Sequence, residues 1–365
     1  MARRVVVIGG GVMGSSAAWH LAARGDRVTL LEQFRPGHDR GSSHGSSRIF
    51  RIAYADPFYV SLAVRALPLW QRLEEETGTS VLSLTGCVDH GPEQATSALR
   101  DVLTLAGRPS ETLSPEAAAE RWPGIRADST ALFHPEAGRL NADAAVAALQ
   151  RAAELKGAEI RHGVRVTSLT HRGGGVELVT DQQETFAADA VVCAVGGWAP
   201  ATLGPVVPGL PPMRVTQEQP LHFPAADALD WPSFIHHEGA GLTVGGGVYG
   251  LGSVDGVKAG FHGVGPVVDP DHRDRTVDPA ARERLAEYAA KWLPGVDATA
   301  PAATTCLYTT TPDHDFVIDR AGPVTVLAGF SGHGFKFGSV IGELAAGLVH
   351  GEPGSRRFAL GRHSG

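Results

Sequence analysis

At 365 residues, with 43% apolar and 19% charged side chains, the chain has the composition of a soluble globular protein and exceeds the about 250 to 300 residues that one hydrophobic core usually serves, so two domains are expected. The formal net charge of -7 is spread along the chain without a basic stripe, which argues against a nucleic-acid partner. No apolar run reaches the ~18 residues of a membrane span, and the first strand begins too near Met1 to leave room for a targeting peptide, so a cytoplasmic protein without a membrane partner is expected.

Val5, Val6, Val7 and Ile8 run into Gly9-Gly10-Gly11-Val12-Met13-Gly14, then an apolar helical pattern (Ala17, Ala18, Leu21, Ala22), then Val28 to Glu32. Strand, G-x-G-x-x-G turn, helix, strand and terminal acid form the unit that binds a dinucleotide. Gly9 permits the tight turn, Gly11 lets the backbone approach a pyrophosphate, and Gly14 lets the helix pack on the strand. The helix start at Val12 and Met13 then meets the phosphates, and Glu32 is placed to accept from a ribose hydroxyl. A polar segment from Arg35 to Ser43 follows. Reading Ser46 to Ala53 as helical puts His44, Arg48 and Arg51 on one face, as donors for phosphates, cofactor oxygens or a substrate carboxylate.

Phe58 to Glu76 is an amphipathic helix with Trp70 in the core. Val81 to His90 alternates as a strand, Glu93 to Leu105 and Pro115 to Trp122 read as helices, and Ala131 to Phe133 as a strand. Asn141 caps a helix running to Lys156. Short strands follow at 159–161, 164–170, 175–180 and 185–187, then the buried strand Ala190 to Cys193, which ends in a glycine turn. Pro205 to Pro212 reads as a passage between domains. Strands at 215–223, 233–236, 242–244 and 257–262 suit an antiparallel sheet. Gly245 to Gly252 is too glycine-rich for a strand interior and reads as a loop or a close backbone approach to a ligand. A helix spans 279–292. Cys87, Cys193 and Cys306 match neither a disulfide framework nor a zinc site, so no metal is expected; Cys87 and Cys193 read as small core residues.

Two stretches near the C-terminus stand apart. Thr304 to Asp319 is a β-rich run into a turn and a second strand. Gly329-Phe330-Ser331-Gly332-His333-Gly334-Phe335-Lys336-Phe337-Gly338 joins the strand Val324 to Ala328 to a helix reaching Val349. The glycines of this junction offer backbone N–H groups to an anionic or polar cofactor atom. On residue chemistry alone, Cys306 reads as a buried thiol and Lys336 as a surface lysine at a helix start.

Taken together, V-I-G-G-G-V-M-G, G-S-S-H-G-S-S-R-I-F-R at 41–51, T-C-L-Y-T-T-T-P-D from 305 and G-F-S-G-H-G-F-K-F from 329 resemble the monomeric sarcosine oxidase and N-methyltryptophan oxidase family of flavoenzymes, over nearly the whole chain. The resemblance implies FAD, held through a thioether from Cys306 to the flavin 8α carbon, with Ser43, Gly332 and Gly334 beside the cofactor. It implies that Arg51 and Lys336 grip a substrate carboxylate, and that Arg48 and His44 orient and polarise the flavin. By the same resemblance Lys258 supplies a positive charge for electron transfer to O2, while His262 and Tyr308 stand near the substrate. Either Val244 or Tyr249 aligns with a pocket tyrosine.

The resulting expectation is an α/β protein: a Rossmann-like FAD-binding domain (1–80, 140–205, 296–365) interleaved with a substrate-binding domain on a mixed, largely antiparallel sheet (81–139, 206–295). Its activity would be an FAD-dependent oxidase of a secondary amine carrying a carboxylate, forming an imine and hydrogen peroxide, in a monomer. The alternatives are a flavin oxidase or dehydrogenase of a primary amino acid, such as glycine or a D-amino acid, a nicotinamide dehydrogenase, and a flavin-binding module without turnover.

Overall fold

Val5, Val6 and Val7 are almost wholly buried because the strand Arg4–Ile8 lies inside a six-stranded sheet. It pairs in parallel with Arg27–Glu32 on one side and Ala190–Cys193 on the other. Glu159–His162 extends the parallel sheet beyond Arg27–Glu32, Val324–Ala328 beyond Ala190–Cys193, and antiparallel Val317–Ala321 closes that edge. Strands buried on both faces need near-continuous apolar runs, as these have. On one face the helices Val12–Ala23, Ala142–Leu155 and Gly338–Val349 pack over Val5, Val7, Leu30 and Val192. On the other, Val6, Ile8 and Val191 join Leu178 and Val176 of a three-stranded antiparallel sheet, Val166–Arg172, Gly175–Thr180 and Thr185–Ala188. The structure, a computed structural model, describes residues 2–237 and 247–363.

A second sheet of eight described strands runs in the order Ala302–Ala303, Leu221–Phe223, Gly256–Phe261, Val248–Ser253, Ser233–His236, Cys87–His90, Ala131–His134, Glu111–Leu113. It is mixed, with a single parallel pairing between Ser233–His236 and Cys87–His90. Helix Pro279–Trp292 covers it through Leu285 and Ala289, which join Phe223 and Phe234 in one apolar cluster. A two-stranded antiparallel ladder, Arg214–Glu218 with Cys306–Thr310, stands apart from both sheets.

Four expectations are corrected. Residues 46–53 are not helical: Arg48–Phe50 is a strand, paired antiparallel with Gly138–Leu140. β-branched Ile49 and fully buried Phe50 suit that pleat. The glycine run is a strand in its second half, Val248–Ser253. Its glycines are packing requirements, since a Cβ on Gly250 would meet the Phe234 ring at 2.2 Å and one on Gly252 the Ala228 carbonyl oxygen at 1.7 Å. Residues 81–90 form two short strands, broken near Gly86, whose φ is 80°. Residues 215–223 divide around Pro220 into strands of different sheets, because proline cannot donate to a ladder. The expected strand at 242–244 lies outside the described residues.

Candidate active site

The first glycine turn forms one end of a long cavity. Gly9 has a φ of 101°, and a Cβ there would meet the Ala194 carbonyl oxygen at 2.4 Å; one on Gly14 would meet the Gly9 carbonyl oxygen at 1.9 Å. Only glycine lets the helix start this close to the strand end. The N-cap, Gly11, has no capping side chain of its own, while Ser43 Oγ accepts the Val12 N–H at 3.1 Å. Glu32 accepts from the N–H groups of Gly10 at 2.6 Å and Phe34 at 2.9 Å, so its carboxylate braces the turn it faces. Gly9, Gly11, Val12, Met13, Glu32 and Ser43 line a cavity of about 1220 Å³ that continues to Gly332, Gly334 and Cys306.

A second cavity, of about 290 Å³, meets the first at Arg48, Cys306, Tyr308, Gly332 and Phe335. Its wall carries Arg51, Tyr54, Tyr249, Lys258, His262 and Lys336. Extended backbone at 48–50 and the strand Gly256–Phe261 bring cations from distant positions to this one place.

Both lysines are buried, which corrects the surface reading of Lys336. Lys336 Nζ donates to Tyr54 Oη at 2.8 Å and to the His333 carbonyl oxygen at 2.9 Å. Burial, reinforced by the nearby Arg51 charge, lowers its pKa to about 7. The Lys258 ammonium lies 3.5 Å from the Ser47 carbonyl oxygen, and burial together with Arg48 lowers it to about 7 as well. Arg51 Nη1 donates to Asp89 at 2.9 Å, with its Cζ 5.1 Å from the centre of the Tyr54 ring. Tyr308 Oη and His262 Nδ1 are 3.3 Å apart, and burial, then Lys336, brings His262 down to about 4. The Tyr249 hydroxyl is raised by burial. Burial also raises the Cys306 thiol, against the pull of Arg48 and Lys258.

Of the expected residues, His44 and Gly14 line neither cavity, Gly14 being packed against the Gly9 carbonyl; His44 lies close to Arg48 and Lys258. Burial, Arg48 and Lys258 lower its pKa to about 3, which keeps the imidazole neutral. Val244 lies outside the described residues; Tyr249 is in the wall. Sequence reasoning missed Tyr54, Asp89, His134 and His237. Asp89 and His90 were the available signal, two polar residues inside a run, Cys87–His90, that is buried throughout.

These residues fit an extended dinucleotide bearing a ring system. One cavity connects an acid and a helix start without its own cap to Cys306. Ser47, in the wall of the adjoining smaller cavity, has a buried Oγ with no hydrogen-bond partner among the described residues, a deficit that a polar ligand would relieve.

Residues 4–348 match the family described as FAD dependent oxidoreductase. The chain is 39% identical over 371 aligned positions to a monomeric sarcosine oxidase of Streptomyces avermitilis, covering 94% of this chain and 93% of that one. It is 30% identical to an N-methyl-L-tryptophan oxidase of Yersinia pestis, covering 96% and 95%. Among solved structures it is similar to NikD, described as an unusual amino acid oxidase essential for nikkomycin biosynthesis. That likeness has a TM-score of 0.85 at 25% identity and covers 98% of this chain and 97% of that one. With a match spanning nearly its whole length, the chain belongs to the FAD dependent oxidoreductase family.

Proposed function

We propose that the protein is an FAD-dependent oxidase of a secondary amine bearing a carboxylate, an N-methyl or cyclic amino acid. The observation that carries this reading is the pair Arg51 and Lys336 in the wall of a substrate-sized cavity that meets the dinucleotide cavity at Cys306. The names of the two relatives, which specify sarcosine and N-methyl-L-tryptophan, support it.

In this reading Gly9, Gly11, Val12, Met13, Gly14, Glu32, Ser43, Gly332 and Gly334 cradle FAD, and Cys306 holds it covalently through a thioether. Arg51 supplies a planar fork and Lys336 a point charge to the substrate carboxylate. That grip fixes the C–H bond next to nitrogen, turning a bimolecular encounter into an oriented one. Arg48, Arg51, Lys258 and Lys336 together disfavour an ammonium in the cavity, so the amine binds in the neutral form that its oxidation requires. Tyr249, His262 and Tyr308 shape the remaining wall, and Arg48 and His44 orient the cofactor. FAD, when bound, would supply the two-electron acceptor and the reactivity with O2 that yields hydrogen peroxide. Lys258 provides the fixed charge for that reaction, and the imine is hydrolysed in water.

The proposal extends to domain organisation, with residues 1–80, 140–205 and 296–365 holding the cofactor and 81–139 and 206–295 completing the substrate site, and to a cytoplasmic monomer. No helix among the described residues is long and apolar enough to cross a membrane. A peroxide assay across sarcosine, N-methyltryptophan, proline, pipecolate, glycine and D-alanine tests the substrate class. Peroxide with a secondary amine is expected; faster turnover of glycine or D-alanine would shift the protein to the primary amino acid oxidases.

A further inference from the structure

Behind Arg51, outside the lining of the smaller cavity, lies a carboxylate with no exposed surface. Asp89 Oδ1 accepts from Arg51 Nη1 at 2.9 Å and pairs with His237 Nε2 at 2.7 Å. Asp89 Oδ2 pairs with His134 Nε2 at 3.0 Å, and the Cys87 thiol lies 3.7 Å from it. The sheet assembles this cluster. Cys87 stands opposite His134 in the antiparallel pair, and Asp89 stands opposite Ile235, two residues before His237, in the parallel pair. Burial alone would raise the Asp89 carboxyl, but Arg51 and the two histidine hydrogen bonds outweigh it and hold the group well below the ordinary carboxylate range. A buried carboxylate persists only with such a set of partners.

The guanidinium has five donors in a rigid fork, and Asp89 occupies part of it. Its face lies over Tyr54, whose hydroxyl accepts from Lys336. Arg51 and Lys336 are therefore organised around one aromatic ring, with one negative charge set behind the arginine. Two cations and one anion leave the charge that matches a single carboxylate. Arg48 and Lys258, the other cations of the cavity wall, are held by the carbonyl oxygens of Ser42 and Ser47, so at the Arg51–Lys336 pair itself a second acid on the substrate would find no unbalanced cation.

We propose that Asp89 is a specificity-determining positioning residue of the carboxylate subsite: it fixes the direction of Arg51 and limits the subsite to one carboxylate, selecting monocarboxylate amines over dicarboxylate ones. This inference rests on Arg51 and Lys336 being that subsite. Cys87, Asp89 and His134 also have the spacing of metal ligands. However, Arg51 donates to the same carboxylate, so its charge is already balanced, and a guanidinium would repel a divalent ion there.

The test uses flavin-loaded wild type and Asp89→Asn. Binding of acetate and of malonate is followed by the flavin absorbance, and sarcosine is compared with N-(carboxymethyl)glycine in turnover. The malonate-to-acetate affinity ratio is expected to rise about tenfold in Asp89→Asn, and the sarcosine KM to rise about tenfold with kcat within about threefold. An unchanged ratio in a folded, flavin-loaded variant would make Asp89 merely structural and overturn the inference. So would zinc bound stoichiometrically by wild type and lost from the variant. Should Asp89→Asn fail to fold, His134→Gln, outside the cavity wall, is expected to shift the ratio the same way by a smaller factor; no shift there overturns the inference equally. The anion titrations need no turnover. They decide the role of Asp89 even if wild type proves inactive on secondary amines, a result that would overturn the substrate reading alone.

Discussion

Glu218 stands directly opposite Cys306 in the antiparallel ladder between Arg214–Glu218 and Cys306–Thr310. The carboxyl is buried, accepts from Thr216 Oγ1 at 2.6 Å and from the N–H groups of Val264 and Gly265, and is raised by burial. It opposes ionisation of the thiol, while Arg48 and Lys258 favour it. The thiolate is the reactive form of a cysteine, so under the proposed attachment at Cys306 these three groups would set its ease.

Cys306→Ala is expected to abolish the fluorescent flavin band of the denatured protein on a gel while retaining noncovalent FAD. In reconstitution of apoprotein with FAD, Glu218→Gln should attach flavin faster and Arg48→Met at least about tenfold slower. A fluorescent band surviving in Cys306→Ala would move the attachment elsewhere.

Lys258→Met should leave anaerobic reduction by substrate within about threefold of wild type and slow reaction with O2 by about a hundredfold or more. Stopped-flow absorbance separates the two half-reactions. Reoxidation at the wild-type rate would remove Lys258 from oxygen chemistry.

For Lys336 the sign of the pH effect is fixed by its lowered pKa of about 7. The ammonium is charged below that pH and neutral above it, so affinity for a simple carboxylate should fall as pH rises through about 7, by up to about tenfold per unit. Acetate, which has no amine to titrate, isolates the effect in a spectrophotometric titration. In Lys336→Met the affinity should be lower at pH 6 and fall less steeply across this range, the remaining slope coming from Lys258, which also titrates near 7.

The cofactor unit from Val5 to Glu32 was legible because strand, turn, helix and acid are contiguous, and each carries its own local signal. Cys306 and Lys336 were legible only through a resemblance, since burial is what gives them unusual chemistry and burial depends on partners hundreds of positions away. Arg48 and Arg51 share a cavity wall, but not from the expected helix. A strand paired with Gly138–Leu140, not a helix, sets their directions, and nothing local to residues 46–53 reveals that partner. Asp89, His134 and His237 come together only through the pairing of three strands, so no spacing in the sequence marks them.

Helices Val12–Ala23 and Gly338–Val349 cross at Gly342, where a Cβ would lie 2.2 Å from Ser16 Oγ and 2.4 Å from the Ser16 carbonyl carbon. Backbone cannot yield as a side chain does, so Gly342→Ala should cost about 1–3 kcal/mol and lower the Tm. Gly14→Ala, whose Cβ would strike the Gly9 carbonyl oxygen, should lose FAD as well as stability. Thermal unfolding, with the visible flavin absorbance as a count of bound cofactor, distinguishes the two.

The most direct test of the account is product analysis with the best N-methyl amino acid found. For each O2 consumed, the reading requires one hydrogen peroxide, one formaldehyde and one demethylated primary amino acid, with no ammonia. Methylamine with a keto acid, the products of oxidation at Cα, or substrate oxidation without peroxide, would contradict it.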